Sequence, residues 1–212
     1  VNITYTSGTM KFDTSATGSF DGTVASITLS GGTGSFYFKD TTAGSHTITV
    51  SSAGLTSAGQ AETITPGTAS KLSITNTAQT VTAGVASSTV TVQAQDTYGN
   101  LASSSAVVNF SSTSVTMRFD TSATGLFNGT VTSITLAGGS GSFYFKDTMA
   151  GSHTVTVSST GLTSGSQVET IVGATATGLF ITSTAQAVVA GGVSSAVTVE
   201  ARDTYGNVAT GF

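Results

Sequence analysis

Two histidines stand at equivalent places in a repeated pattern. His46 and His153 lie in nearly identical stretches, Ala43–Val50 and Ala150–Val157. Hydrolysis through a nucleophile would need a serine, a histidine base and an orienting acid that converge in space. Serine occurs throughout the chain, so its proximity to either histidine carries no information. We therefore interpret both histidines as strand residues copied with the repeat, and we expect the chain not to be an enzyme.

Oxygen ligands for a metal are concentrated at one recurring turn. Asp96 and Asn100 flank a Thr-Tyr-Gly sequence, and Asp203 and Asn207 flank its copy. Calcium binds such hard oxygen ligands, but its sites usually combine several carboxylates, and the ten acidic residues here are scattered. A turn explains the same residues, because Asp accepts backbone hydrogen bonds and Gly99 supplies a positive φ. The sequence also shows no zinc-like ligand spacing, so we expect no metal and no cofactor.

A covalent bond between lysine and asparagine side chains is a further chemistry to consider, at Lys39 and Lys146. That reaction needs a lysine that is buried beside an acid. Strand alternation places Phe143 and Phe145 inward, so Lys146 should point outward beside Tyr144. We expect these lysines to be solvated.

Three Asn-x-Ser/Thr triplets are candidate N-glycosylation sites: Asn2, Asn109 and Asn128. Asn2 and Asn109 are equivalent in successive repeats, whereas Asn128 replaces Asp21. Such triplets arise by chance in a chain rich in Ser and Thr, so their occupancy is open. Sugars would add solubility to a chain in which only 8% of residues are charged.

The elements that must position these residues repeat at an offset of 107 residues. Phe12–Gly18 returns as Phe119–Gly125, and Phe36–Asp40 returns as Phe143–Asp147. This offset divides the chain into the rear part of one repeat (1–68), a complete repeat (69–175) and the front part of a third (176–212). Neither terminus looks like a natural repeat boundary. Repeats of this length that alternate Val, Ile, Thr and Ser indicate an array of small β domains.

Alternation within the complete repeat predicts seven or eight short strands and no helix, as in a β-sandwich. Thr89–Gln95 alternates strictly and places Val90, Val92 and Ala94 on one face. Leu72, Ile74 and, after a break, Val81 mark a first strand near the start of the repeat. The remaining strands are expected at Ala106–Ser111, Val115–Phe119, Val131–Leu136, Ser142–Lys146, His153–Val157 and Val168–Ile171. The linkers Thr65–Thr68 and Val172–Thr175 are short, which favours a semi-rigid rod.

The composition limits which classes of partner and which cellular locations fit the chain. The net charge is −4 and there is no basic run, which argues against nucleic acid. No apolar run approaches the roughly 18 residues that a membrane span requires. Cysteine is absent, which is compatible with an extracellular home but does not demand one. A surface rich in Ser, Thr and Gly with few lysines is typical of extracellular or cell-surface β arrays, and we expect that location.

The segment Val90–Asn100 and its copy Val197–Asn207 resemble the bacterial and archaeal immunoglobulin-like repeats of the invasin/intimin class and, more distantly, filamin-type repeats. Ala150–Val157, a small-residue turn that leads into an alternating strand, resembles the late strands of that family. The resemblance implies an all-β chain of tandem immunoglobulin-like β-sandwiches forming a rod, as in stalks, adhesins and surface filaments. It carries over no catalytic residue.

These observations together predict a structural component of an extracellular filament or surface stalk. Its partners would be copies of itself, joined by strand complementation between head and tail pieces, or further repeats of one longer covalent array. The alternative is an adhesin or glycan-binding surface protein whose repeats act as a spacer, with surface glycans as partners. Such a protein should differ between repeats in its exposed loops, and the small changes seen here, such as Ser19 against Leu126, favour the structural role. A domain accessory to an enzyme would need a catalytic domain outside this segment.

Overall fold

The computed structural model describes residues 1–209, and all regular structure among them is β-strand. The all-β prediction is confirmed. Residues 210–212, the last of the predicted third part, lie outside the described residues. No helix in the described range is long and apolar enough to cross a membrane.

Contacts between Cα atoms divide the chain into two compact units. The first comprises Val1–Ala69 and Gln95–Ala102, and the second comprises the rest. The repeat boundary predicted between residues 68 and 69 falls beside this division, but the loop around residues 95–102 groups with the first unit rather than with its own repeat. The division into three parts by repeat stays a prediction.

The first unit contains two small antiparallel sheets, with the strand orders β1–β4–β5 and β2–β3. Its strands are β1 (Asn2–Tyr5), β2 (Lys11–Asp13), β3 (Tyr37–Lys39), β4 (Gly44–Ser51) and β5 (Ala58–Ile64). Ile3, Met10, Phe12 and Ile48 form its buried core. The Phe12 ring packs edge-on against Phe36, with centroids 5.4 Å apart.

The second unit contains a sheet of nine strands, ordered β10–β12–β8–β6–β14–β13–β9–β11, with β7 beside β14, and a separate pair formed by β15 and β16. The strands are β6 (Lys71–Ile74), β7 (Thr80–Thr82), β8 (Val90–Gln95, of which Gln95 groups with the first unit), β9 (Val107–Ser112), β10 (Arg118–Asp120), β11 (Ser133–Thr135), β12 (Ser140–Lys146), β13 (Gly151–Ser159), β14 (Leu162–Val172), β15 (Gly178–Ile181) and β16 (Val199–Arg202). Most neighbours are antiparallel, whereas β14 pairs with β6 and β7 in parallel.

Strict alternation in the sequence becomes strict alternation of burial in β8. Val90, Val92 and Ala94 are buried and the residues between them are half-buried, as the sequence predicts. On β12, Phe143 and Phe145 are buried in the same way. The rings of Phe110 on β9 and Phe143 on β12 pack with centroids 4.3 Å apart. Side chains from both halves of the nine-stranded sheet therefore meet in one core.

The strand predicted over Val115–Phe119 is wrong at its start. The structure places β10 at Arg118–Asp120 and leaves Val115 exposed. The Ser114 hydroxyl accepts a hydrogen bond from the backbone N–H of Thr116, 3.3 Å away, which stabilises a local turn there. The Ser114 hydroxyl thus takes a backbone N–H that a strand would use for pairing, and the strand begins only after this turn.

Substitution of Gly165 tests the packing of β14 against β6. An added Cβ at this position would lie 2.7 Å from the carbonyl oxygen of Leu72, a backbone atom that cannot swing away. We expect Gly165→Ala to lower the free energy of unfolding by about 1–3 kcal/mol, measured by urea denaturation. Gly8→Ala is the matched control, because its added Cβ meets nothing within 4 Å. Equal midpoints for the two variants would contradict this close approach.

Candidate functional site: an anchored loop and two open sheet edges

The loop from Asp96 to Asn100 is closed by the Asp96 carboxylate. Its Oδ1 accepts hydrogen bonds from the backbone N–H groups of Tyr98 and Asn100, both at 2.9 Å. Gly99 has φ 94°, a conformation that glycine adopts without a steric penalty. The structure therefore contains the turn that the sequence predicts, with Asp96 and Gly99 in the expected roles.

The same loop is also anchored on distant residues of the first unit. The Asn100 side-chain amide donates to the carbonyl oxygen of Thr41 at 2.9 Å and accepts from the N–H of Ala43 at 2.9 Å. Asp96 Oδ2 accepts from the N–H of Gly67 at 2.9 Å, and Gly67 lies in the predicted linker. Sequence reasoning missed this second role. The only signal for it is that Asp and Asn return together in the next copy of the loop.

The second unit repeats this anchor with equivalent residues. Asn207 donates to the carbonyl oxygen of Thr148 and accepts from the N–H of Ala150, both at 2.8 Å. Asp203 Oδ2 accepts from the N–H of Ala174 at 2.9 Å. Equivalent partners and near-equal distances show that the anchor is a fixed feature of the repeat.

An aromatic contact adds to the anchor in the second unit. Tyr205 lies over Gly84, where an added Cβ would be 2.1 Å from the tyrosine hydroxyl oxygen. Gly84 has φ 80°, so both its backbone conformation and the close ring require glycine. Tyr98 occupies the equivalent place in the first loop, and both tyrosines are exposed.

Hydrogen bonds saturate the Asp96 carboxylate. The side-chain amide of Asn100, at 2.8 Å, lowers the pKa of Asp96 against the opposing effect of burial, and backbone N–H groups lower it further, to about 2. Burial raises the pKa of Asp203, but the donors from Asn207 and Ala174 outweigh it and the net shift is downward. Donors thus occupy the oxygens that calcium would need. Among residues 1–209 no group of three or more His, Cys, Asp or Glu side chains is placed to hold a metal.

The two histidines lie in equivalent strands, β4 and β13, and share one local geometry. His153 Nε2 lies 3.1 Å from the carbonyl oxygen of Met149, an atom that can only accept, so this nitrogen carries the proton. Asp147 Oδ2 lies 4.0 Å from the same nitrogen, and the Thr116 hydroxyl donates to the other oxygen of Asp147. His46 makes the same contacts with Thr42 and Asp40. The imidazole therefore faces the turn that precedes its own strand.

Lys146 and Tyr144 are half-buried on β12. The Lys146 Nζ lies 5.7 Å from the centroid of the Phe127 ring, which is a cation–π distance. The Tyr144 hydroxyl accepts a hydrogen bond from Thr89 at 2.9 Å. Lys39, the equivalent of Lys146 in the first unit, is exposed.

All three candidate glycosylation residues are exposed. Asn2 lies on β1 opposite Ser51, and Asn109 lies on β9 between Ser133 and Ser158. Asn128 lies in a turn, where its Oδ1 accepts from the hydroxyl of Thr130 at 2.7 Å. The structure does not bring the three together, and their glycosylation stays a prediction.

The first unit has open sheet edges. In the described range β3 pairs with β2 alone and β5 with β4 alone, whereas the equivalent strands β12 and β14 each have further partners. Two apolar grooves of about 310 and 380 Å³ lie along these edges. Phe36, Val50 and Ala58 line both grooves, and Glu62 lies at the end of the larger one. We call this surface the head groove.

The segment from Thr177 to Val208 exposes apolar side chains whose equivalents in the complete repeat are buried. Leu179 on β15 is 67% exposed, whereas its equivalent Leu72 is 3% exposed. Val197 is 55% exposed, whereas its equivalent Val90 is 1% exposed. We call this segment, residues 177–208, the tail segment.

No family model and no curated protein sequence matches the chain. Among solved structures, a glycosyl hydrolase family 2 member from Bacteroides cellulosilyticus is 15% identical with a TM-score of 0.43, covering 64% of this chain and 18% of that one. A β-glycosidase from Bacteroides vulgatus is 14% identical with a TM-score of 0.42, covering 76% and 21%. The S-layer protein rSbsC(31-844) is 17% identical with a TM-score of 0.35, covering 96% and 24%. The chain spans less than a quarter of each protein's length, and likenesses with TM-scores below 0.5 carry no weight in assigning its function.

Removal of the Asn100 side chain should release the loop from its anchor. Asn100→Ala leaves the Thr41 carbonyl and the Ala43 N–H without their partner, and we expect a loss of about 1–3 kcal/mol in local stability. Hydrogen exchange should show faster exchange at the Ala43 amide, with the Ala150 amide unchanged. Asn207→Ala is the matched control and should reverse the two effects. Equal exchange at Ala43 in wild type and Asn100→Ala would contradict the anchor.

Acid should weaken the same loop. The folded-state pKa of Asp96, about 2, is below its ordinary value, so the carboxylate stabilises the folded unit above roughly pH 4 and loses this effect as the pH falls towards 2. We expect exchange at the Gly67 amide to accelerate between pH 4 and 2. In Asp96→Asn, hydrogen exchange at the Gly67 amide should be faster than in the wild type at neutral pH. Its further acceleration between pH 4 and 2 should be smaller than in the wild type, after correction for intrinsic exchange rates. Parallel pH profiles for the two proteins would contradict this assignment.

Proposed function

We propose that this chain is a structural component of an extracellular filament or surface stalk, built from tandem immunoglobulin-like β-sandwiches that form a rod. The observation that carries the proposal is the recurring anchor. A loop that belongs by sequence to one repeat is hydrogen-bonded to the preceding repeat, through Asn100 in the first unit and through Asn207 in the second.

The anchor also supports the proposal because it holds the linkers. The Gly67 N–H in the linker Thr65–Thr68 is bound by Asp96, and the Ala174 N–H in the linker Val172–Thr175 is bound by Asp203. A linker whose backbone is hydrogen-bonded to the next repeat has less conformational freedom than a free tether of the same length. Limited swing between successive repeats is the property that a stalk requires.

Packing within the complete repeat supports the sandwich part of the proposal. The rings of Phe110, Phe119 and Phe143 come from β9, β10 and β12, and they pack with centroids 4.3–5.8 Å apart. β9 lies far from β10 and β12 in the order of the nine-stranded sheet, and a shared aromatic core is what we expect if the sheet folds over on itself as a sandwich. The residues that recur between copies serve this core, the turns and the anchor, which favours a mechanical role without catalysis.

Small-angle X-ray scattering tests the proposal directly. The purified chain should have an elongated distance distribution, and Asn100→Ala combined with Asn207→Ala should broaden it, because both linkers gain freedom. Asn2→Ala combined with Asn109→Ala is the control, since both residues are exposed and lie outside the anchor. A compact distribution for the wild-type chain would overturn the rod. Strong binding to one class of sugar on a glycan array would favour the adhesin alternative.

A further inference from the structure

We propose that the turn at Asn128 and Gly129 modifies itself. The backbone nitrogen of Gly129 displaces ammonia from the Asn128 side chain, and water then opens the resulting cyclic imide. Asn128 becomes aspartate or isoaspartate in this way. The reaction does not depend on the proposed function, and water is its only co-reactant.

Asn128 differs from the other asparagines of the chain in the residue that follows it. Cyclisation joins the side-chain carbon of an asparagine to the backbone nitrogen of the next residue, so a side chain on that next residue obstructs the approach. Gly129 has no side chain. The other asparagines precede larger residues, namely Ile3, Thr77, Leu101, Phe110 and Val208. The sequence therefore singles out Asn128 for this reaction.

Thr130 polarises the carbon that is attacked. Asn128 Oδ1 accepts hydrogen bonds from the backbone N–H of Thr130 at 3.1 Å and from its hydroxyl at 2.7 Å. Attack on the side-chain carbon Cγ moves negative charge onto this oxygen. Donors that are already directed at the oxygen stabilise that charge without reorganisation. Thr130 therefore supplies an oxyanion hole for the tetrahedral intermediate.

The attacking nitrogen lies in an exposed turn beside a cation. Gly129 has φ 85°, and a Cβ added to it would lie 3.3 Å from Nε of Arg118. The carbonyl oxygens of Val115 and Met117 hold this guanidinium in place, at 2.9 and 2.8 Å from Nη1. The attack requires the Gly129 nitrogen to lose its proton, and a nearby positive charge favours that loss.

The reaction balances with water alone. The Gly129 nitrogen gives up its proton and bonds to Asn128 Cγ, and the Cγ–Nδ2 bond breaks as Nδ2 takes up a proton and leaves as ammonia. Water then cleaves one of the two carbonyl–nitrogen bonds of the imide. Cleavage at Cγ gives aspartate, and cleavage at the main-chain carbonyl carbon gives isoaspartate, in which the backbone runs through the former side chain. No oxidant or reductant takes part.

The first unit shows that the aspartate product fits the turn. Asp21 stands at the position equivalent to Asn128, and its Oδ1 accepts from the hydroxyl and the backbone N–H of Thr23 at 2.7 and 2.9 Å. The Thr23 hydroxyl, and then its backbone N–H, lower the pKa of Asp21, so this carboxyl group is ionised at neutral pH. A carboxylate resists attack by a nucleophile, and the aspartate turn is therefore a stable end point.

The isoaspartate product should disturb the same turn. It inserts one more carbon atom into the backbone directly after Phe127, which is buried and has φ 48°. A non-glycine residue holds such a conformation only where its surroundings fix it. We therefore expect isoaspartate to loosen the chain around Phe127.

Deamidation and N-glycosylation exclude each other at Asn128. The sugar is attached to Nδ2, the atom that leaves as ammonia, and the Asn-Gly-Thr triplet is no longer an acceptor once Asn128 is aspartate. In material from a glycosylating host, the glycosylated form should keep its mass during incubation. Conversion of that form as fast as the bare asparagine would contradict this exclusion.

Mass spectrometry of the whole chain, produced in a host without N-glycosylation, tests the proposal. During incubation at mildly alkaline pH the peptide that contains Asn128 should gain about 1 Da, and electron-transfer fragmentation should show both aspartate and isoaspartate. The rate should rise with pH, because the attacking nitrogen must lose its proton. Peptides with Asn100 and Asn207 should stay unchanged. No conversion at Asn128, or aspartate without isoaspartate, would overturn the cyclic route.

Matched variants test the parts assigned to the turn. Thr130→Val removes the hydroxyl donor and should slow conversion by about two- to tenfold, whereas Thr130→Ser keeps the hydroxyl and should react at nearly the wild-type rate. Arg118→Gln removes the charge and should also slow conversion. Arg118→Lys, which restores the residue type of Lys11 in the first unit, should slow it less. Equal rates in the wild type and all four variants, with folding verified by circular dichroism, would overturn the assignment.

Asn128→Asp supplies the product for comparison. Its free energy of unfolding, measured by urea denaturation, should match that of the wild type, because Asp21 makes the same hydrogen bonds in the first unit. The isoaspartate fraction, separated by chromatography, should unfold at lower urea. Marked destabilisation by Asn128→Asp would contradict the fit of the aspartate product.

Discussion

Hydrogen bonding to one buried carboxylate is the interaction on which the architecture of these repeats depends. Asp96 closes its own loop through Oδ1 and reaches the linker at Gly67 through Oδ2, while Asn100 carries the contact on to Thr41 and Ala43. A carboxylate with fewer donors would be costly to bury. The loop, the linker and the turn before β4 are therefore mutually dependent, and the second unit reproduces the arrangement with Asp203 and Asn207.

Aromatic packing in the core is a second feature by which the two units can be compared. In the complete repeat the front strands cover the Phe143 face, and the result is a closed aromatic core. In the first unit Phe36 lines two grooves beside the edge strands β3 and β5, and its ring packs edge-on against the buried Phe12. The same sequence pattern therefore directs its aromatic residue towards a core in both units.

Local features of the fold could be predicted from the sequence, and contacts between distant backbone atoms could not. Alternation in β8 fixes which side chains are buried, and the Asp-Thr-Tyr-Gly-Asn turn follows from its own residues. The anchor was missed because its partners are the carbonyl of Thr41 and the N–H groups of Ala43 and Gly67, which every residue carries. Ala58 stands in the first copy where Gly165 stands in the second, a difference that the sequence alone shows. Its physical meaning comes from the structure, where a Cβ added at Gly165 would lie 2.7 Å from the carbonyl oxygen of Leu72.

The anchored linker has a consequence for the way in which the chain can open locally. The Asp96 carboxylate binds the linker at Gly67 and the Asn100 amide binds the turn before β4, so release of this one loop frees both segments, while β4 and β5 keep the hydrogen bonds of their own ladder. Local opening at the linker is therefore separable from unfolding of the sheet.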